Sequence, residues 1–450
     1  MHAKSLVLLA TLSLQGGVIP VPKVARPSAA SEGAMDVRDL LASARGVAPA
    51  VCALASDGAS SWGGGWDAPG VSVRFDSRRT LWNLRNGGIS DDEGRALLDA
   101  LASDDACVRH LAGTLIGRSG DKSFVPELSG KLESASAIER AGAARVLGLL
   151  GDRLAVEPLI HALRDGTAAV RANAAWALGR IGERRATQQI ADLLRDTSPE
   201  VREASATALG EMPNTDNVDI LLRVLKNDDV VEVRRTAAWA LGQLGSRTAA
   251  EGLAAALAND KSSAVREMSA WSLAEIHARD FVDALANAMK HDDTESVRET
   301  AAWALGELEV RKASDALAAA LASDKSPRVR GTAAWALGEL NPGRAPKPLV
   351  VALRDTDDDV RLKAAWALSQ INDSETIADI TAALKSEPRE RVRQALVRAL
   401  IESGERSGEV FKDLLESKDG TTRELAVKAL AGHRGPWPWP WPQPRPRPFP

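Results

Sequence analysis

The chain has no tyrosine, and aromatic residues fill only 4% of its 450 positions, as 12 tryptophans and 5 phenylalanines. An interior built on aromatic rings is thereby excluded, so alanine, leucine and valine must fill it and the tryptophans are left for another purpose. Cysteine is nearly missing as well. Cys52 and Cys107 are the only two, too few and too far apart for a zinc ribbon or a redox Cys-x-x-Cys pair. Their apolar surroundings predict two small buried side chains, with a disulfide as the alternative that an oxidising compartment permits. The six histidines, at positions 2, 110, 161, 277, 291 and 433, form no His-Glu-x-x-His run and no pair one helical turn apart, so no metal or cofactor is expected. A dominant charge of one sign is lacking too: 57 basic against 61 acidic residues leave a net charge of −4, which argues against a general polyanion binder. The longest apolar stretch near the start, 6–14, is too short to span a bilayer. The glycines within 62–66 lack the Gly-x-x-x-x-Gly-Lys spacing that cradles a phosphate.

What is present is a period. A Val-Arg pair recurs at Val108, Val170, Val201, Val233, Val265, Val297, Val329, Val360 and Val392, with weaker copies at Glu139 and Thr422. Neighbouring copies are 30 to 32 residues apart, the signature of a repeat array. In the copy at 297–308, Val297, Ala301, Ala304, Leu305 and Leu308 share one face of a helix turning about 100° per residue, a narrow seam of small side chains. A second helical stretch precedes it in every period, as at 313–321, and turns such as 323–328 join them. One such pair cannot bury its apolar face alone, so the pairs must stack. The expected fold is all-α, an α-solenoid of about eleven helix-turn-helix units.

The run Asp-x-x-x-x-Val-Arg-x-x-Ala-Ala-Trp-Ala-Leu-Gly, seen at 292–306 and 324–338, resembles the short bacterial HEAT-like repeats of the phycobilin-lyase type. The resemblance covers about 89–432. It implies that the second helix of each unit lines the concave side of a solenoid, and it says little of function, because one fold hosts many activities.

The recurring aspartate, five residues before valine at Asp165, Asp196, Asp228, Asp260, Asp292, Asp324 and Asp355, pairs in phase with the arginine after valine. That constant phase predicts a structural ladder in which turn aspartates cap helices and bind arginines of adjacent repeats. The recurring tryptophan, six after valine, stands at Trp176, Trp239, Trp271, Trp303, Trp335 and Trp366. It points about 240° from the valine, away from the seam, so it packs between repeats or lines an open face. Glutamates one turn to either side, Glu267 and Glu275, Glu299 and Glu307, and Glu339, edge this stripe. Aromatic rings beside carboxylates suit a cation. Trp239, Trp271, Trp303, Trp335, Trp366 and these five glutamates are therefore the expected partner-binding residues, with no catalytic residue among them.

The two ends differ from the array. Lys4 and the apolar run 6–14 predict a secretory signal within 1–30, and hence export, the alternative being a buried N-terminal helix in a cytoplasmic protein. Residues 31–88 read as a cap region with a Gly/Trp-rich loop, and 433–450 as a disordered Pro/Trp/Arg-rich tail in polyproline II conformation, with weak membrane-interface contact as one use.

The expected function is a non-catalytic scaffold that holds a protein segment, extended and basic or proline-rich. Two other classes compete. An enzyme is one, since the repeat type also resembles deoxyhypusine hydroxylase and the phycobilin lyases; the hydroxylase resemblance implies His-Glu iron ligands, and no histidine here is followed by glutamate. A nucleic-acid binder resembling HEAT-like DNA glycosylases is the other, and it needs a basic face where this chain carries Glu203, Glu211, Glu267, Glu275, Glu299, Glu307 and Glu339.

Overall fold

The computed structural model describes residues 13–14, 17–18, 37–45, 89–212, 214–403, 408–416 and 420–431. Most of the expected signal, the Gly/Trp-rich loop, Cys52 and the tail lie outside them. Apart from a two-residue antiparallel pairing of Ser13–Leu14 with Gly17–Val18, the described elements are helices. They belong to two compact units, Met1–Asn217 and Val218–Pro450.

In the first unit α1 (Val37–Ala44) packs against the opening pair, α2 (Asp91–Ala100) and α3 (Ala106–Ser119), as an end cap. Then come α4 (Val125–Lys131) with α5 (Ala137–Leu150), α6 (Val156–Ala162) with α7 (Ala168–Ile181), and α8 (Thr187–Asp192) with α9 (Pro199–Glu211). The second unit pairs α10 (Val218–Asn227) with α11 (Val231–Gln243), α12 (Ala250–Asn259) with α13 (Ser263–Glu275), and α14 (Val282–His291) with α15 (Glu295–Glu307). It continues with α16 (Ser314–Ser323) and α17 (Pro327–Leu340), α18 (Lys347–Val351) and α19 (Asp358–Ile371), α20 (Ile377–Ser386) and α21 (Glu390–Glu402), and α22 (Gly408–Leu415) and α23 (Gly420–Leu430). Within each unit every odd-numbered helix from α3 onward lies against the next odd-numbered one, giving a two-layered stack of helix pairs, the solenoid architecture that the period predicts.

Local chemistry explains the boundaries. Before α17, Ser326 accepts the N–H groups of Arg328 and Val329, and Pro327 fills the first helical position, where its missing N–H costs nothing. At the other end the chain turns through the left-handed region twelve residues after the valine phase in eight described repeats. Gly120, Gly151, Gly182 and Gly245 hold that slot in four repeats, whereas His277, Glu309, Asn341 and Asn372 hold it in others.

The seam residues Val297, Ala301, Ala304, Leu305 and Leu308 are all fully buried. The seam is not narrow, however. Arg298, Glu299, Thr300, Ala302 and Trp303 are buried too, because α15 is flanked by α13 and α17 as well as by its own first helix.

The expected aspartate–arginine ladder is present at Asp165, Asp196, Asp260, Asp292, Asp324 and Asp355. Arg298 donates from Nε and Nη2 to the two carboxylate oxygens of Asp324 at 2.8 and 3.1 Å, and from Nη1 to the Asp292 carbonyl oxygen at 3.0 Å. Asp324 Oδ1 also accepts the Ser326 N–H at 2.8 Å. The same fork joins Arg140 to Asp165, Arg171 to Asp196, Arg234 to Asp260, Arg266 to Asp292 and Arg330 to Asp355, and Arg361 to Glu387. With side-chain exposures of 5% and 10%, the Arg298–Asp324 rung is nearly dry. Removing one partner would strand the other charge, at a cost of about 3–5 kcal/mol.

Cys107 corrects the expectation of two separate thiols. It is buried and disulfide-bonded. Packing of α1 on α3 brings residues 37–44 against the helix that carries Cys107, a proximity that sequence separation hides.

Candidate partner-binding face

The expected site residues fall on the odd-numbered helices of the second unit, one set per repeat. The tryptophans do not stand out as an open aromatic row. Trp271, Trp303, Trp335 and Trp366 are buried, exposing between 2% and 8% of their surface, and Trp239 is half-buried. Of the two placements that the helical wheel allows, packing between repeats is the one realised. The Cζ3 edge of Trp335 lies over Gly306 of the preceding repeat, so close that a Cβ on that glycine would meet it at 2.8 Å. Trp366 sits likewise over Gly338, and Trp271 over Gly242. The indole N–H groups of Trp271 and Trp366 have no hydrogen-bond partner among the described residues. Ring contact, not hydrogen bonding, holds them.

The glutamates separate into two rows. In the first, two residues after valine, Glu267 is half-buried and accepts the Ser296 hydroxyl at 2.7 Å, while Glu299 is buried and binds Arg328 Nη2 at 2.7 Å. Burial pushes the Glu299 carboxyl above the usual glutamate range, against the opposing pull of Arg328 and Lys363. Lys363 in turn binds Asp359 at 2.8 Å and passes over Gly331, the residue that replaces glutamate in its repeat. Side chains of the next repeat meet this row, a neutral hydroxyl at Glu267 and a guanidinium at Glu299, a pairing that depends on inter-repeat register.

The second row, ten residues after valine, is different. Glu275, Glu307 and Glu339 are exposed at the C-terminal ends of α13, α15 and α17. Glu275 and Glu339 have no ion pair among the described residues. Helix C-termini carry partial negative charge, so each carboxylate adds to a field already of its own sign. The Glu339 carboxyl is raised above its ordinary value by the protein packed round it and then by the negative charges of Glu307 and Glu309. Glu309 is itself the left-handed residue after α15, with φ 52°, in the slot that glycine fills elsewhere. A non-glycine residue there costs about 1 kcal/mol, and this one contributes another carboxylate to the row. It was missed in the sequence because left-handed geometry leaves no mark beyond the missing glycine.

The first unit keeps the wedge, with Trp176 Cζ3 over Gly148, and differs in the charge beside the ring. Trp176 is flanked by two guanidinium groups, with Arg145 Cζ at 5.4 Å and Arg180 Cζ at 5.7 Å from its ring centre.

Among solved structures, an engineered protein is 23% identical to this chain with a TM-score of 0.44, covering 68% of this chain and 98% of its own. The Escherichia coli protein YibA is 21% identical with a TM-score of 0.46, over 60% of this chain and 98% of that one. Kap95, in its complex with Nup1, is 15% identical with a TM-score of 0.51, over 79% of this chain and 59% of that one. At 15% identity the likeness to Kap95 is one of fold. No curated protein matches the chain. The HEAT repeat signature matches residues 126–198, 187–274, 250–338 and 314–401, overlapping segments that take in more than half of the sequence. The chain belongs to the HEAT repeat family.

Proposed function

We propose that the protein is a non-catalytic binding scaffold whose second unit holds an extended, cationic segment of a partner protein along Glu275, Glu307 and Glu339. The observation that carries this reading is the exposed carboxylate row, placed on three successive helix C-termini and reinforced by Glu309 in a strained conformation. Like charges so arranged repel one another, and a line of Lys or Arg side chains relieves that repulsion. Trp271, Trp303, Trp335 and Trp366 act as the rigid floor that fixes the spacing of the row, with Glu267 and Glu299 bracing it from repeat to repeat. Helix packing sets a spacing of about 10 Å, and a polyproline II segment advances about 3.1 Å per residue, so every third side chain of a proline-rich basic ligand meets one carboxylate. The Kap95 structure, described as a complex with Nup1, supports the general idea that stacked HEAT repeats hold protein segments. Kinship with the phycobilin-lyase type extends to repeat type only, and the lack of His-Glu pairs in the sequence speaks against hydroxylase chemistry. Export is part of the proposal: the Cys107 disulfide supports it, since disulfides persist in oxidising compartments.

Fluorescence anisotropy with a labelled peptide of alternating arginine and proline tests the binding claim, with a glutamate–proline peptide as control. Glu275→Lys combined with Glu307→Lys should weaken the basic peptide by about 1–2 kcal/mol at low salt and much less at high salt. Equal affinity for the two peptides, or no loss in the double variant, would reject the site.

A further inference from the structure

In the first unit the tryptophan phase holds another residue at Thr114, Arg145 and Thr207, and the first two stand in successive repeats. Thr114 stands six after Val108, and Arg145 six after Glu139. Where the rings are missing, a cavity of about 340 Å³ opens between α3, α5 and the start of α7. Its walls are mainly aliphatic, with Leu101, Ile138 and Val146 prominent, and Gly113 adds room because a Cβ there would press on Val146 at 3.1 Å.

Three basic side chains reach this space, Arg109, His110 and Arg145, and among the described residues no aspartate or glutamate lines it. Arg109 is the ladder arginine whose rung is absent. Five residues before the next phase, where later repeats carry aspartate, stands Ser134. Among the described residues, the partner of Arg109 is the Ser103 carbonyl oxygen, which Nη1 meets at 2.6 Å. Arg145 makes no hydrogen bond or ion pair with any described residue; it lies over the Trp176 ring, which holds the guanidinium in place without neutralising it. Burial pulls Arg145 below its ordinary value, yet a guanidinium stays charged near neutral pH. Burial, and then the charges of Arg145 and Arg118, hold His110 toward its neutral form, able to donate from one nitrogen and accept at the other.

Two uncompensated guanidinium groups in a mostly apolar hollow, in a protein whose net charge is −4, make a receptor for a counter-charge. We propose that this cavity binds a small organic anion with an apolar body and a carboxylate head, the head held by Arg145 and Arg109 and the body by the aliphatic walls. Its volume lies at the small end of ligand pockets, about 300–1,000 Å³. The apolar walls disfavour a bare inorganic ion, which would leave them empty, and the guanidinium forks match a planar carboxylate. This site is independent of the carboxylate row in the second unit.

Isothermal titration calorimetry on the full chain, with 4-phenylbutyrate, its uncharged amide and inorganic phosphate as probes, tests the assignment. The carboxylate should bind one to one, and at least about tenfold more tightly than either the amide or phosphate. Arg145→Ala should weaken it by about tenfold or more. Thr114→Trp, which puts a bulky ring on a wall of the hollow while keeping both arginines, should abolish binding without lowering the helical circular dichroism signal. Failure of 4-phenylbutyrate to bind overturns the proposal, as does equal binding of the amide or undiminished binding to Thr114→Trp. Preferential binding of phosphate would overturn the ligand class. If Arg145→Ala fails to fold, Thr114→Trp decides alone.

Discussion

Placing a methyl group on Gly338 is the sharpest way to ask whether the tryptophans are wedged between repeats. A Cβ there would lie 2.6 Å from Trp366 Cζ3, 2.9 Å from Ala367 Cα and 3.0 Å from Ala367 Cβ. The ring cannot swing aside, since it is only 2% exposed, and α19 cannot retreat freely, since the Arg330 fork on Asp355 at 2.7 and 2.8 Å ties the two repeats together. Overpacking of this kind costs about 1–3 kcal/mol, while alanine in place of a helical glycine returns about 1 kcal/mol. Gly338→Ala should therefore be destabilising on balance, by up to about 2 kcal/mol. Gly142→Ala is the control: its nearest new neighbour is a carbonyl oxygen at 3.8 Å, so the propensity gain of up to about 1 kcal/mol should survive. Because the chain holds two units, a single unfolding midpoint is a poor measure; hydrogen exchange resolved by mass spectrometry reads the helices separately. Gly338→Ala should speed exchange in both α17 and α19, and adding Trp366→Leu should restore part of the protection. Faster exchange in neither helix, or a gain like that of Gly142→Ala, would refute the wedge.

Three more expectations follow from the geometry. Asp165 is held below the usual carboxylate range chiefly by the Arg140 fork, and Asp196, Asp260, Asp292 and Asp355 end up lowered although burial, their largest single influence, pushes upward, because arginine forks and turn N–H groups outweigh it. Folded values below the unfolded one of about 3.9 mean that this stability is complete above about pH 5 and is lost as the pH falls through the folded values, so the melting temperature by circular dichroism should hold near neutrality and drop steeply below about pH 4; a flat profile to pH 3 would contradict the ladder's role. Glu309→Gly should raise stability by about 1 kcal/mol by relieving the left-handed strain while weakening the basic peptide, and a variant that gains stability with no loss of affinity would remove Glu309 from the site. Reducing the Cys107 disulfide should destabilise the first unit by about 2–4 kcal/mol, visible as faster exchange in α3 while α15 to α19 stay protected.

The repeat period, the helix pairs, the buried seam and the aspartate–arginine ladder were all legible in the sequence, because each depends on spacing along one helix or on a phase repeated many times. Trp303 shows where that logic stops. A helical wheel gives a direction, and the ring does point away from the seam; whether it meets solvent or the next repeat depends on how closely the repeats approach. That approach is set by glycines such as Gly306, nine residues after valine, which read in the sequence as part of a motif with no evident partner. Glu299 was misjudged for the same reason: it was expected on an open face, and it is buried because Arg328 of the following repeat reaches back to it. The cavity at Arg145 leaves no mark in the repeat pattern, because recurring residues report packing, whereas this hollow forms where the recurring ring is missing.

The ladder also bears on how each unit comes apart. Arg298 ties its own turn at Asp292 to the turn of the following repeat at Asp324, and Asp324 in the same stroke fixes the entry of α17 through the Ser326 N–H. Opening one repeat therefore unlatches the threshold of its neighbour, and the structure behaves as a zipper whose teeth engage two repeats apiece, so that fraying starts at an end and runs inward tooth by tooth. At Arg109 a tooth is missing among the described residues. No carboxylate at position 134 latches α3 to the turn before α5 in this way, and the zipper should run freely up to Arg140, where a fork on Asp165 at 2.7 and 3.0 Å brings it to a halt.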